Sequence, residues 1–140
     1  MSPFSQFLHD LRMRRRLRQA DLADLLGYEQ SYISALEIGL KGPPTNEFLD
    51  RLTHVLALST SERDEMQVAS HASQRKLVID PDAPPDIYWL LADLRGAVDR
   101  LSPSQVRIIR EVLVMPAVSL EERTEPVRRL KRRKKEEATM

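Results

Sequence analysis

The sequence predicts an all-α protein. Apolar residues recur every three to four positions in one segment after another, the spacing that gathers them on one side of a helix. Glycine is scarce, four residues in 140, which disfavours a turn-dense β fold. Serine, threonine and proline stand just ahead of several apolar runs, where helices take their caps and their first-turn proline. At 41% hydrophobic and 5% aromatic, the expected core is aliphatic and rich in leucine.

The elements follow in order. Phe4, Phe7, Leu8 and Leu11 share one helical face, opened by Ser2-Pro3, and this helix is expected to run to about Arg16. Gln19 to Leu26 forms a second, short helix with Leu22, Ala23 and Leu26 inward, and Gly27 sits where a left-handed C-cap belongs. Gln30 to Ile38 is a third, with Ile33 and Leu36 inward, ended by Gly39. After the break Gly42-Pro43-Pro44, Thr45 caps a fourth helix with Phe48, Leu49, Leu52, Val55 and Leu56 inward. Ser61 is the expected cap of a fifth, which reaches about Arg75 and turns Met66 and Ala69 inward. Leu77-Val78-Ile79 is a short β-prone run, and three prolines between Asp80 and Asp86 mark a linker over 77–86. Ile87, Leu90, Leu91, Leu94, Val98 and Leu101 then repeat at helical spacing. The capping box Ser102-Pro103-Ser104-Gln105 opens a further helix carrying Val106, Ile109, Val112 and Leu113, and Pro116 ends it. Together 87–116 reads as an αα-hairpin. A second box at Ser119–Glu122 and the basic run Arg128–Lys135 fall in a charged tail, 117–140, expected to be partly disordered.

The chain has 22 Lys+Arg and 21 Asp+Glu, a net charge of +1 that by itself argues against a nucleic-acid binder. The distribution says otherwise. Residues 1–76 carry ten cations, five of them between Arg12 and Arg18, and the tail holds a second cluster. The absence of cysteine excludes disulfides, thiol nucleophiles and cysteine-based zinc sites. His9, His54 and His71 are scattered over three helices without partners at ligand spacing, so no metal is expected. Asp80, Asp82 and Asp86 sit among prolines and read as a solvated linker. No glycine-rich phosphate loop and no nucleophile-base pair is apparent, so neither a cofactor nor an enzymatic activity is expected. No apolar run is long enough for a membrane span and no secretory signal is visible at the N-terminus; the expected location is the cytoplasm.

Residues 19–39 carry the functional signal. Two short helices joined by a glycine-containing turn make a helix-turn-helix unit, whose second helix fits a DNA major groove. The outward positions of that helix, Gln30, Ser31, Ser34 and Ala35, are short and polar or small, which permits close approach to base edges.

The order Leu8–Arg12, Gln19–Gly27, Tyr32–Gly39, Pro44-Thr45 and Phe48–Leu58 resembles the lambda-repressor-like helix-turn-helix domains of the Cro and repressor type, the XRE family. The resemblance covers 50–60 residues without a gap and stops at about residue 75. It implies a five-helix DNA-binding domain over 1–76. It implies that Gln30 reads adenine, that Ser31, Ser34 and Ala35 read further bases, and that Gln19 contacts phosphate and can also bond Gln30. Tyr32, Lys41, Gly42 and Thr45 fall at positions that touch the DNA backbone, and Arg12 and Glu37 at a buried ion pair. Two positions depart from the family pattern. Glu29 replaces the usual Ser or Thr before the recognition helix, and Arg16 replaces the usual glycine after the first helix.

Some readings stay open on sequence alone. Arg14, Arg15, Arg16 and Arg18 either grip phosphate or form a solvated helix end suited to the helix dipole. Tyr32 either touches DNA or packs. The stripes of 87–115 either pack on residues 1–76 or dimerise, and dimerisation is favoured, with Tyr88, Trp89, Leu91, Leu94, Val98, Ile109 and Leu113 at the interface. The tail either holds phosphate or solubilises the chain. The resulting expectation is a sequence-specific transcriptional regulator, a repressor that binds double-stranded DNA as a homodimer. Its expected setting is bacterial or phage-type and nucleoid-associated. The alternative is an antitoxin-like module that binds another protein through its C-terminal half and keeps the helix-turn-helix for autoregulation.

Overall fold

The structure, a computed structural model, describes residues 1–116. The expected charged tail, with its capping box at Ser119 and its basic run, lies outside the described residues. Among the described residues there are seven α-helices, one turn of 3-10 helix and no strand. The chain divides into two units, Met1–Leu77 and Val78–Met140.

The first unit holds α1 (Pro3–Arg14), α2 (Gln19–Leu26), α3 (Gln30–Ile38), α4 (Asn46–Val55) and α5 (Thr60–Ala72). Local chemistry sets the boundaries. The Ser2 hydroxyl accepts from the Ser5 amide at 3.1 Å and opens α1, with Pro3 in the first turn. Gly27, at φ +76°, closes α2. Gly39 closes α3 at φ +82°, and a Cβ there would also lie 3.3 Å from the Ser5 hydroxyl and 3.5 Å from the Ser2 amide. Both the backbone conformation and the space therefore call for glycine. The Thr45 hydroxyl accepts from the Phe48 amide and opens α4.

Three boundaries differ from expectation, the first being α1, which ends at Arg14 rather than near Arg16. The cap of α5 is Ser59, not Ser61: its hydroxyl accepts from the Glu62 amide, and the Glu62 carboxylate accepts from the Ser59 amide, a reciprocal box that Ser61 has no partner to build. The helix ends at Ala72 rather than near Arg75. Ser73, buried, uses its hydroxyl to donate to the Ala69 carbonyl (2.6 Å) and to accept from the Phe4 amide (2.8 Å). One side chain thus satisfies the last turn of α5 and an orphan donor in the first turn of α1.

The core comes from one face of each helix. Phe4, Leu8 and Leu11 of α1, Leu22 and Leu26 of α2, Ile33 and Leu36 of α3, Phe48 and Leu52 of α4 and Met66 of α5 are all but fully buried. Helix α1 lies against α3 and α5, and α2 against α3 and α4. Val55, expected inward, is exposed. It is the last residue of α4, and the chain then turns through Ala57, which takes a left-handed φ of 47°, so that Leu58 fills the core instead.

An ion pair ties the end of α1 to the start of α5. Arg15 donates to both Glu62 oxygens, at 2.8 and 3.0 Å, and also to the Leu56 carbonyl, while Arg14 approaches to 4.0 Å. The Arg15 hydrogen bonds, with the Ser59 amide, pull the Glu62 carboxyl down to about 2.

The second unit contains α6 (Pro85–Ala97), a 3-10 turn (Val98–Arg100) and α7 (Pro103–Leu113). Helix α6 starts inside the proline-rich stretch, before the expected Ile87, because proline is favoured in a first turn. Ser102 and Gln105 cap α7 reciprocally. No residue of α6 or α7 is buried. The expected αα-hairpin is therefore looser than its two apolar stripes suggest: both helices form, but neither hides its stripe against the other.

Glu62 has a depressed carboxyl, so its contribution is fully present above the unfolded value of about 4.5 and is lost as pH falls toward about 2. Glu62→Gln keeps an acceptor for the Ser59 amide but removes the charge. It is expected to cost about 1–2 kcal/mol at neutral pH, allowing for solvent screening. Urea unfolding across pH should show this gap constant from pH 5 to 8 and narrowing below about pH 4.5. A gap that stays constant down to the acid limit would show that the pair contributes nothing.

Candidate nucleic-acid interface

Helix α3 is held from behind and open in front. Ile33 and Leu36 anchor it in the core. Glu37, also on the inner side and 4% exposed, is the acceptor for two neighbouring helices. Arg12 of α1 donates to its two oxygens, from Nε at 2.6 Å and Nη2 at 3.2 Å, and Gln19 of α2 donates through Nε2. Arg12 spends a further N–H on the Leu17 carbonyl, closing the α1–α2 turn, and His9 Nδ1 lies 3.8 Å from the same carboxylate. A buried carboxylate is costly unless paired and hydrogen-bonded. Here it is both, and the pairing fixes α3 against α1 and α2 at once.

The front of α3 presents Gln30 and Ser31, both exposed, with Ser34 and Ala35 half-buried on the following turn. Gln19 sits at the start of α2 with its amide turned to Glu37; among the described residues no hydrogen bond joins it to Gln30. Glu29 stands at the N-cap of α3 without a side-chain capping bond, so the helix start relies on the Glu29 carbonyl, which accepts from the Tyr32 and Ile33 amides.

Tyr32 is half-buried and belongs to an aromatic cluster centred on Phe48. Its ring stacks on Tyr28 at 5.3 Å and meets Phe48 edge-on at 5.7 Å. Burial, with Tyr28 second, pushes its hydroxyl above the ordinary value. Lys41 lies over the Tyr32 ring, 5.7 Å from its centre, so the exposed loop after α3 and the aromatic cluster are in contact. Gly42 and Thr45 in that loop are exposed, while Pro44 is buried.

The arginines of 12–18 are mostly occupied. Arg12 pairs with Glu37, Arg14 and Arg15 with Glu62, and Arg18 with Asp21. The Arg18 pair holds the Asp21 carboxyl below its usual value. Among the described residues Arg16 forms no ion pair, and it takes the left-handed conformation, φ +55°, at the position where glycine would be the easy choice. Its charge therefore stands at the surface, at the cost of a strained backbone. Two cations that sequence spacing does not single out, Arg75 and Lys76, meet the loop after α3. Arg75 donates to the Gly39 carbonyl, and Gln74, Arg75 and Lys76 line a shallow cleft with Gly42 and Pro43. The signal was only a pair of adjacent cations past an apolar helix, which says nothing about what they face.

Residues 3–66 match a family model described as a helix-turn-helix domain. The match supports a helix-turn-helix domain over this segment. Its helix-turn-helix is α2, the turn at Gly27 and α3, and the match takes in α1, α4 and the first half of α5. No curated protein and no solved structure matches the chain. Among the described residues no helix is long and apolar enough to cross a membrane, and no group of His, Asp and Glu is arranged to hold a metal ion.

Glu37→Ala leaves the Arg12 guanidinium, 12% exposed, without its carboxylate. Removing one member of such a pair is expected to cost about 3 kcal/mol. Denaturant unfolding of the variant measures this; a loss below about 1 kcal/mol would mean that water replaces the carboxylate freely.

Proposed function

We propose that the protein is a sequence-specific DNA-binding transcriptional regulator of the lambda-repressor-like, XRE type, a repressor that acts as a homodimer on an operator of two half-sites. The observation that carries the reading is the contrast between the two sides of α3. The inner side is fixed by Ile33, Leu36 and the Glu37 network, and the outer side offers short polar groups on a rigid support. A rigid helix with an amide and hydroxyls outward suits bidentate and single hydrogen bonds to base edges in the major groove. In this reading Gln30, Ser31, Ser34 and Ala35 read bases. Gln19, Arg18, Tyr32, Lys41, Gly42 and Thr45 contact the backbone and set the register. Arg12 and Glu37 position the helix without touching DNA.

The homodimer reading rests on the second unit. Thirteen large apolar side chains between Ile87 and Met115 are exposed, Trp89 at 70% and Leu113 at 71% among them. Folded chains rarely leave that many large apolar side chains to water. A second copy covering α6 and α7 through Tyr88, Trp89, Leu91, Leu94, Val98, Ile109 and Leu113 would bring two α3 helices to half-sites about 34 Å apart. The same exposed surface also supports a second reading, in which a different protein covers it and the helix-turn-helix serves autoregulation. A full chain that sediments as a monomer would favour that second reading.

Two outcomes are expected. Gln30→Ala should relax base preference at one position per half-site and cost about 1–3 kcal/mol in specific binding; selection of bound sequences from random DNA that returns an unchanged motif would remove Gln30 from the base-reading set. A chain ending at Lys76 should sediment as a monomer while the full chain sediments as a dimer. A dimeric fragment would place the interface elsewhere.

A further inference from the structure

Residues 1–76 carry ten cations, and their pairing sorts them. Arg12, Arg14, Arg15, Arg18 and Arg51 lie in ion pairs with Glu37, Glu62, Glu65, Asp21 and Glu47. The other five are Arg16, Lys41, Arg63, Arg75 and Lys76. Two of those five, Arg75 and Lys76, line one cleft at the C-terminal end of α3, and a third, Lys41, stands in the adjoining loop with its ammonium over the Tyr32 ring. The Arg75 guanidinium donates to the Gly39 carbonyl, which pins the segment after α5 beside the loop that follows α3. Gly42 and Pro43 from the loop and Gln74, Arg75 and Lys76 from the segment line the shared cleft, and Lys41 immediately precedes Gly42. Neither stretch, 39–45 or 72–79, contains an acidic residue. Among the described residues the cleft is therefore cationic without an internal counterion, unlike the arginine-rich end of α1.

We propose that Gln74, Arg75 and Lys76, together with Lys41 and Gly42, form a DNA-backbone phosphate grip flanking the recognition helix. This rests on the reading that α3 enters the major groove. Arg75 uses one N–H on Gly39 and keeps further donors for an anion, while the Lys76 ammonium is a mobile point charge on an exposed stem. The Gln74 amide adds a neutral donor. The Gly39 bond gives Arg75 a second job. It places a positive charge at the C-terminal end of α3, where the helix dipole is negative, so the element that reads bases and the cation that holds phosphate move as one body. The segment after α5, beyond the matched residues 3–66, thereby becomes part of the DNA-binding surface.

The test compares the full chain with Lys76→Ala, Arg75→Lys and, as a control, Arg63→Ala, using binding to an operator fragment obtained by selection. Arg63, which among the described residues has no carboxylate partner and donates to the Thr60 hydroxyl, stands near the start of α5, most of a helix length from Arg75. Each lost phosphate contact lowers the salt slope by about 0.9, so the ratio of native to Lys76→Ala affinity should shrink about 3.5-fold between about 50 and 200 mM salt. Arg75→Lys keeps the charge and should lower affinity less than Lys76→Ala does, with the slope retained. Base preference should be unchanged in both, and Arg63→Ala should leave the slope as it is. A native chain that binds selected DNA while Lys76→Ala keeps its slope, or while Arg63→Ala lowers it equally, overturns the grip and leaves the recognition helix standing. A native chain that binds no DNA overturns both.

Discussion

The buried carboxylate of Glu37 is the constraint on which the first unit is organised. Apolar packing alone would hold α3 against the core with some freedom to slide or rotate, since leucine and isoleucine contacts are non-directional. A charge at 4% exposure has no such freedom. It must keep the Arg12 fork from α1 and the Gln19 amide from α2, or bear the desolvation cost alone. The register of α3 is thus set by directional bonds on its inner side, one helical turn from Ile33 and next to Leu36. The side facing out inherits that register. Ser31 points outward because Ile33, Leu36 and Glu37 point in, while Gln30, on the Glu37 side of the helix, is exposed because it stands at the first position of α3.

The same logic explains why a near-neutral chain is compatible with a charged ligand. Most of the arginines near the end of α1 serve the fold. Arg15 holds the α4–α5 corner through Glu62 and Leu56, Arg14 adds to the same carboxylate, and Arg18 caps α2 with Asp21. What remains unpaired is a smaller set, and its location differs from where the sequence concentrates charge. Counting cations by segment therefore points to arginines that are mostly engaged by carboxylates. Subtracting those already engaged by carboxylates moves attention to the loop after α3 and the segment after α5.

Much of the helix layout was legible because its signals are local. Ser2 before Pro3, Gly27 and Gly39 after their apolar stripes, Thr45 before Phe48, and the Ser102–Gln105 box each act within four residues of the boundary they set. The α5 cap was legible in principle too, since Ser59 stands three residues before Glu62, but a neighbouring serine offered a rival start. The end of α5 was not. Ser73 stops the helix by bonding Phe4, 69 positions earlier, and no window along the chain contains both. The role of Glu62 was hidden for the same reason, since its partner Arg15 is 47 residues away. The stripes on α6 and α7 were readable as apolar faces, but periodicity states only that a face exists, not what covers it.

The glutamate before α3 shows how these constraints interact. Glu29 stands at the N-cap, where its charge suits the helix dipole but would repel a phosphate nearby. Its side chain makes no capping bond, so the start of α3 does not depend on that carboxylate. The helix is secured further along, by Tyr32 against Phe48 and Tyr28 and by Glu37 against Arg12 and Gln19. A helix fastened at its middle and its C-terminal end can carry an unfavourable charge at its N-terminus without losing its orientation. The favourable charges then belong at the opposite end, and that is where Lys41, Arg75 and Lys76 stand, without carboxylate partners among the described residues. An acidic N-cap and a cationic C-terminal flank together make the two ends of α3 electrostatically unlike. In the proposed reading this difference divides the labour along α3, with backbone phosphate met at the C-terminal flank and base edges met by Gln30 and Ser31 near the N-terminus.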